Sequence, residues 1–600
     1  MEVTPASPDP ASTSNADRVN VRTTVMEQLG GLLSALRRSG CHRRVSLLGF
    51  GIIAVIAANM VGQVRLNRWQ GDFYDALERQ ALSAFLDQIV VFLVIAVCLL
   101  TLVVSETWLR QMLEVRLREW LSYDLVDAWL KPKRAYFLSY AGDIGDNPDQ
   151  RMQADCQHLS ELSADLGVGL IRSSLLLVSF VGVLWLLSDK IVFADAGQSF
   201  TIPGYLVWCA LAFALAGSWL TWRIGRPLIA LNVERYSREA ALRFAMVRIS
   251  EHAEGIALHG GEEDERQQLA RLIDNVIGIT RNIAFGLARL TWVTSGYGWL
   301  GLVVPIAAAA PGYFNGSLTF GELMMVVGAF NHVEAALRWF VDNFSRIADW
   351  RATLMRVATL QDTLPALDTL GEGVERVDLV QGGAEPCGFE DLSVVLPDSR
   401  VRLQETSVEI LPGDRVVILG ERRSGKSTLF RALAGLWPWG SGRVRMPPPE
   451  RTMFMPQRPY IPLGSLRAVL AYPAPPDRFT DDACRKALER VDLNELSASL
   501  DQDRRWDKEL TMDEQQRLAF ARLLLHAPAC VVLDDGMGAL SERHRALMLS
   551  IVDQELADAT LIAIGRERFG TPAHQKTLHV RREPNGAALR IGPNAATASA

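Results

Sequence analysis

Between Val45 and Ser345 the chain returns six times to an apolar stretch near the length that crosses a bilayer, and this restricts its fold more than any other feature. A segment in hydrocarbon must satisfy its own backbone polar groups, and a run of about 20 apolar residues does so as a helix. The stretches are Val45–Val64, Gln88–Ser105, Leu166–Ser188, Pro203–Trp222, Leu290–Ala310 and Leu318–Ser345. The first, second, fourth and fifth carry no charged side chain, and the third carries only Arg172. The sixth holds Glu322, His332, Glu334, Arg338 and Asp342, so it reads either as a span or as an amphipathic helix outside the membrane. Counting it as a span puts both ends of the chain on one side.

The connections agree with that count. Arg37, Arg38, Arg43 and Arg44 precede the first stretch, and two long connections, 106–165 and 223–289, carry further arginines. The remaining connections are short and poorer in basic residues, so the positive-inside rule places both termini in the cytoplasm. Helical pattern runs through Glu106–Trp129 and Asn232–Ile283, which predicts membrane helices that continue into the cytosol. Ionisable groups at membrane depth are candidates for function. Glu322 and Glu334 are therefore candidates to line a substrate or proton path. Their alternatives are a place at the water interface, or a pair with Arg338.

Composition adds exclusions. A net charge of −6 gives no electrostatic footprint for nucleic acid. Seven scattered cysteines without a C-x-x-C pair argue against a metal or disulfide framework. Residues 1–25 and 594–600 read as tails, 26–360 as a six-helix transmembrane domain, 361–385 as a linker and 386–593 as a nucleotide-binding domain.

That last assignment rests on Gly420-Glu421-Arg422-Arg423-Ser424-Gly425-Lys426-Ser427, a G-x-x-x-x-G-K-S phosphate loop. Arg415–Leu419 before it is a β-branched run, and Ser427–Leu433 after it has helical pattern. Strand, loop and helix in that order are the context in which backbone N–H groups cradle phosphates. Gly420 to Ser427, with Thr428, would hold ATP; Lys426 would reach the β- and γ-phosphates and Ser427 would ligate Mg²⁺. Cys530-Val531-Val532-Leu533-Asp534-Asp535 reads as a Walker B strand, with Asp534 on Mg²⁺ and Asp535 placed to polarise the attacking water. Gln457 fits a Q-loop beside the metal. Leu510-Thr511-Met512-Asp513-Glu514-Gln515-Gln516-Arg517 occupies the signature position before a helix. The fold class expected is thus an all-α six-helix membrane domain of exporter-type ABC architecture, followed by an α/β P-loop domain.

At these residues the chain resembles a fused half-transporter of the SbmA/BacA-like group, related to the peroxisomal fatty-acyl (subfamily D) ABC half-transporters. The resemblance covers most of the chain. It includes Leu66–Gln70 with Phe73–Leu77, Asp146–Arg151, Gly225–Leu228, Glu239–Ala241, Ala434–Pro438 and Pro456–Gly464. It implies a homodimer in the bacterial inner membrane, with Thr511, Asp513 and Gln515 meeting nucleotide across the dimer. It also implies import of peptides or similar hydrophilic solutes.

The chain departs from that pattern at catalytic positions. Asp535 stands where the family has glutamate, shortening the base by about 1.5 Å. Arg566 follows Gly565 where the family has a switch histidine, and Ser541 replaces the D-loop aspartate. Thr511 and Asp513 replace the signature serine and glycine, and Arg423 replaces a loop glycine. Asp513 brings a negative charge toward a phosphate, a repulsion on the order of 2–4 kcal/mol at an effective dielectric of 20. Nucleotide binding is expected to persist, with slow hydrolysis by Asp535, Gln457 and Arg566. Two alternatives stay open: a proton-driven transporter whose nucleotide domain is regulatory, and a degenerate half of a heterodimer.

Overall fold

The computed structural model describes residues 24–141, 145, 147–191, 193–195, 198–369, 375–382, 387–396, 399–421, 424–535, 537–565 and 575–584. The described chain forms two compact units. One comprises residues 22–127 and 147–361; the other is built from 128–146 and the residues from 362 onward.

The first unit is helical: α1 Val25–Arg38, α2 His42–Glu78, α3 Leu82–Trp129, α4 Cys156–Ser188, α5 Tyr205–Glu251, α6 Glu262–Phe314, α7 Phe320–Asp342 and α8 Phe344–Ala366. Among the described residues five helices are long and apolar enough to cross a membrane, namely α2, α3, α4 (counted from Pro148), α5 and α6. α3, α5 and α6 have 48, 47 and 53 residues. At 1.5 Å per residue each is roughly 70–80 Å long, against a hydrocarbon core of about 30 Å. The helices therefore outrun the bilayer, as the long connections suggest.

The helical run expected across Asn232–Ile283 is interrupted. α5 ends at Glu251, a short helix spans Ala253–His259, and Gly260 adopts φ +63° before α6 begins. Only glycine accepts that backbone without strain, so the chain can reverse there. α5 and α6 then pack as a hairpin. Leu228 meets Ile279 and Ile283, and Tyr297 stacks on Phe213 at 4.2 Å and donates to its carbonyl at 2.9 Å.

The sixth apolar stretch, α7, falls outside the five because its polar residues, among them Glu322, Asn331, His332 and Glu334, make it less apolar, and one face of it is buried by protein. Gly321, Leu323, Val326, Ala329, Phe330, Val333 and Ala336 form its inward face. It lies close on α2, where a Cβ at Gly321 would stand 2.1 Å from the Gly71 carbonyl. Asp75 of α2 caps its start, accepting from the Gly321 N–H at 2.7 Å and the Thr319 hydroxyl at 3.2 Å. A helix covered by its neighbours can carry polar residues that lipid would exclude. Both acidic candidates on it are paired. Glu322 closes a capping box with Thr319 and binds Lys190, and Glu334 meets Arg338 at 3.4 Å.

Arg172 of α4 is paired as well, with Glu106 of α3, a residue 1% exposed. Breaking a buried pair from one side strands a charge. Arg172 is itself half-exposed, so Arg172→Gln is expected to destabilise the membrane unit by less than the about 3–5 kcal/mol of a fully buried pair. Adding Glu106→Gln should recover most of that loss, which thermal unfolding in detergent would read.

The second unit contains a ten-stranded sheet. Its strands are β1 Asp378–Gln381, β2 Cys387–Val395, β3 Ser399–Leu403, β4 Ser407–Ile410, β5 Arg415–Leu419, β6 Gly440–Met446, β7 Thr452–Met455, β8 Cys530–Asp534, β9 Thr560–Gly565 and β10 Gln575–Pro584. The order is β1-β6-β2-β3-β10-β5-β9-β8-β7, with β4 against β2. β10, β5, β9, β8 and β7 run parallel. β8 and β9 are buried almost throughout, which explains why they read as unbroken apolar runs. The helix that ends the first unit continues through Ala366, into the stretch read as linker. Residues 128–146 pack with this unit: Arg134, 5% exposed, makes a two-pronged bond to Asp368, and Tyr140 contacts Trp437 and Trp439.

Candidate nucleotide site

In a parallel sheet the ligand sits beyond the carboxyl ends of the strands. Four sequence candidates follow such ends. The phosphate loop follows β5, Asp534 closes β8 with Asp535 next, Gln457 comes two residues after β7, and Arg566 follows β9. The register of β5, β9, β8 and β7 brings these ends to one edge. Arg422, Arg423 and Arg566 themselves lie outside the described residues.

The loop keeps its cradle. Gly425 takes φ +84°, and a Cβ there would stand 2.4 Å from Val401 Cγ2, so only glycine fits. α9, Lys426–Leu433, starts immediately after it. Lys426 Nζ donates to the carbonyls of Gly420 at 2.6 Å and Glu421 at 2.7 Å, which holds the ammonium at the loop's mouth. The Ser424 hydroxyl is buried beneath, close to Gly420. Thr428 N–H bonds back to the Gly425 carbonyl at 3.0 Å, closing the first turn.

Ser427 and Asp534 come together. Burial raises the Asp534 carboxyl above its usual range; the Ser427 hydroxyl opposes this, Asp535 reinforces it, and Arg431 and Lys426 lower it. A cation at this place would offset the burial, so Ser427 and Asp534 fit Mg²⁺ beside a phosphate. Asp535 is exposed and has φ +48°, and its N–H bonds to the Ile564 carbonyl at 2.9 Å. Its backbone is thus tied to β9, and its reach is set by side-chain length. Gln457 is exposed, with its carbonyl held by the Gln516 side chain at 3.1 Å.

The signature residues are engaged elsewhere. Thr511 and Glu514 form a reciprocal capping box at the start of α10, Met512–His526. Gln515 turns to the carbonyls of Asp507 at 3.1 Å and Leu510 at 2.9 Å. The Asp513 carboxylate, expected to face a phosphate from across the dimer, meets groups of its own subunit. It accepts from Arg517 Nε at 2.8 Å and from the Ser541 N–H at 3.3 Å, and lies 2.9 Å from His544 Nδ1. Arg517 sets an opposite charge beside the carboxylate, and the other two contacts occupy its other oxygen within the same subunit. They also join α10 to α11, Glu542–Gln554, the helix that Ser541 caps.

Sequence reasoning missed His544. It lies 31 residues from Asp513 and belongs to no motif, so no local signal marks it. Burial acts to raise the Asp513 carboxyl, but His544, the Ser541 N–H and Arg517 together hold it below its usual range. A lowered carboxyl contributes stability above its unfolded value of about 3.9, and that contribution disappears as pH falls through the folded value. His544→Ala is expected to cost about 1–3 kcal/mol at neutral pH. The difference from wild type should shrink below about pH 4, in urea unfolding followed by tryptophan fluorescence.

A phosphate loop and a Walker B carboxylate on one sheet edge, in a chain with a bundle of membrane-length helices, define a membrane transporter with an ATP-binding domain. Residues 32–314 match the family described as ABC transporter transmembrane region 2, and residues 403–538 match that described as ABC transporter. The chain is a fused ABC half-transporter related to ABC subfamily D. It is 28% identical to the inner membrane ABC transporter ATP-binding protein YddA of Escherichia coli, over 86% of this chain and 91% of that one. It is 27% identical to ABC transporter D family member 2, chloroplastic, of Arabidopsis thaliana, over 88% and 82% of the two chains. A bacterial Atm1-family ABC exporter with ATP bound shares the fold, with a TM-score of 0.64 and 17% identity over 88% of this chain and 91% of that one.

Proposed function

We propose that this chain binds Mg²⁺-ATP and, as a homodimer in a bacterial inner membrane, imports peptides or similar hydrophilic solutes with slow ATP turnover. The observation that carries the proposal is the contrast at one sheet edge. Lys426, Ser427 and Asp534 keep a phosphate-binding arrangement, while Asp535 is one methylene short of the usual base. Lys426 and the loop amides bind the phosphates, and Ser427 with Asp534 would hold the metal. When bound, the metal neutralises phosphate charge. Asp535 and Gln457 orient water, and Asp535 does so from farther back than a glutamate would, so the proton-accepting step is slow. The inner-membrane location follows the similarity to the Escherichia coli inner membrane ABC transporter ATP-binding protein YddA. The resemblance to the SbmA/BacA-like group supports the solute class and the direction of transport.

Pairing of Glu322 with Lys190 and of Glu334 with Arg338 favours ATP over a proton gradient as the driving force, because neither carboxylate is a lone carrier. The test is reconstitution in liposomes, with ATPase activity and peptide uptake measured with and without a pH gradient. ATP-dependent uptake supports the reading, and uptake driven by the gradient alone defeats it. Activity that appears only with a second, different half-transporter would replace the homodimer by a heterodimer.

A further inference from the structure

Helix α1 carries an apolar stripe, Leu29, Leu32, Leu33 and Leu36, at the spacing of one helical face. In a fully packed helix such a stripe meets the core. Here the four leucines line an open cavity of about 660 Å³ within the first unit, to which α2, α3, α4, α7 and α8 also contribute. The size lies in the range of small-molecule sites. The walls are almost wholly apolar. The two serines among them are satisfied by protein: Ser160 donates to the Cys156 carbonyl at 2.8 Å, and Ser163 accepts from Trp350 Nε1 at 2.9 Å. One polar group differs. The buried Nε1 of Trp120, another lining residue, has no acceptor among the described residues.

The cavity's place in the chain indicates its depth. Val45 and Gly49 line it where the first apolar stretch begins, and Leu166 and Leu170 where the third begins. It therefore lies at the ends of these stretches and continues past them, to Trp120 of α3 and Leu354 of α8. Four arginines lie next to lining residues in the sequence. Arg37 and Arg38 form the basic last turn of α1, and Arg43 and Arg44 immediately precede Val45. All four are exposed, and among the described residues none of them is in an ion pair. The only acid of α1, Glu27, is at its opposite end, inside the capping box with Thr24. An amphipathic helix with basic residues at the bilayer boundary attracts anionic headgroups.

We propose that this cavity is a binding site for an anionic phospholipid, with an acyl chain against the α1 leucines and the phosphate among Arg37, Arg38, Arg43 and Arg44. The site couples α1 to the starts of α2 and α4 through the lipid, so the lipid belongs to the packing of this end of the unit.

Gly167 gives a clean way to fill the site. It lines the cavity, and a Cβ there meets nothing within 4 Å, so the first atom of a larger side chain has room. Full-length protein in detergent is titrated with phosphatidylglycerol or phosphatidylcholine of matched chains, and bound lipid is counted by native mass spectrometry. Wild type is expected to retain phosphatidylglycerol at least about ten-fold more tightly than phosphatidylcholine, with the preference reduced by salt. Replacing the four arginines by glutamine should abolish the preference but not all binding. Gly167→Phe should abolish retention of both lipids while size-exclusion profile and nucleotide affinity stay as in wild type. If Gly167→Phe fails to fold, Leu33→Asp, at a half-exposed position on the stripe, serves in its place and should also release lipid. Equal retention of the two lipids by wild type would overturn the anionic site. Unchanged retention by the cavity variants would overturn its location. Cross-linking of two copies through Leu33→Cys in place of lipid binding would assign the cavity to a second copy and overturn the proposal.

Discussion

Lys426→Ala is expected to weaken ATP binding by about 100-fold and to remove ATP-driven uptake altogether. The ammonium is held 2.6 and 2.7 Å from two loop carbonyls, so it stands at the loop mouth in the fold itself. A hydrogen bond from a charged donor contributes about 1.5–3 kcal/mol, and each 1.4 kcal/mol is a ten-fold change in affinity. One ammonium shared between two phosphates therefore accounts for about two decades. Titration of purified wild type and variant with a fluorescent ATP analogue reads this directly. Binding within about three-fold of wild type would mean that Lys426 does not reach phosphate, and the proposed cradle would fall with it.

The second large effect runs the other way. Asp535→Glu combined with Arg566→His is expected to raise the ATPase kcat by about 10- to 100-fold, within the range attributed to a well-placed general base. The Asp535 N–H is fixed to the Ile564 carbonyl, so the backbone cannot move the carboxylate forward, and one more methylene can. The gain has a counterweight. Asp535 sits at φ +48°, a conformation aspartate accepts more readily than glutamate, so the variant should lose roughly 1 kcal/mol of stability. Phosphate release in liposomes is the measurement, with Lys426→Ala in the same background as the control that must erase the gain. An unchanged kcat with unchanged nucleotide affinity would show that these two positions are not where catalysis is limited.

Much of the site was legible because it is local. A phosphate loop needs its glycines, lysine and serine within eight residues, between a strand and a helix, and a Walker B acid needs only the apolar strand before it. The membrane stretches were legible for a similar reason, since bilayer thickness acts on a single segment. The first five stretches lie in the five helices long and apolar enough to span. The sixth carried an ambiguous signal because of its own ionisable residues, which α7 accommodates beside a face packed against protein. The turn near His252–Gly261 was hidden inside a helical pattern, although Gly255, Gly260 and Gly261 were signals for it.

The pairings were not legible. Asp513 with His544, Glu106 with Arg172 and Glu322 with Lys190 join residues 31, 66 and 132 positions apart. The signature aspartate read as a charge toward a phosphate, and its contacts with Arg517, Ser541 and His544 had no local signal.

By itself, then, the amino-acid sequence determined that this chain spans a membrane and carries a phosphate loop with a Walker B strand, because each of those depends on contiguous residues obeying a local geometry. Only the tertiary structure decided which charges are spent inside the protein and which remain for a ligand. That depends on which distant segments the fold brings within hydrogen-bond reach, and no local pattern encodes it.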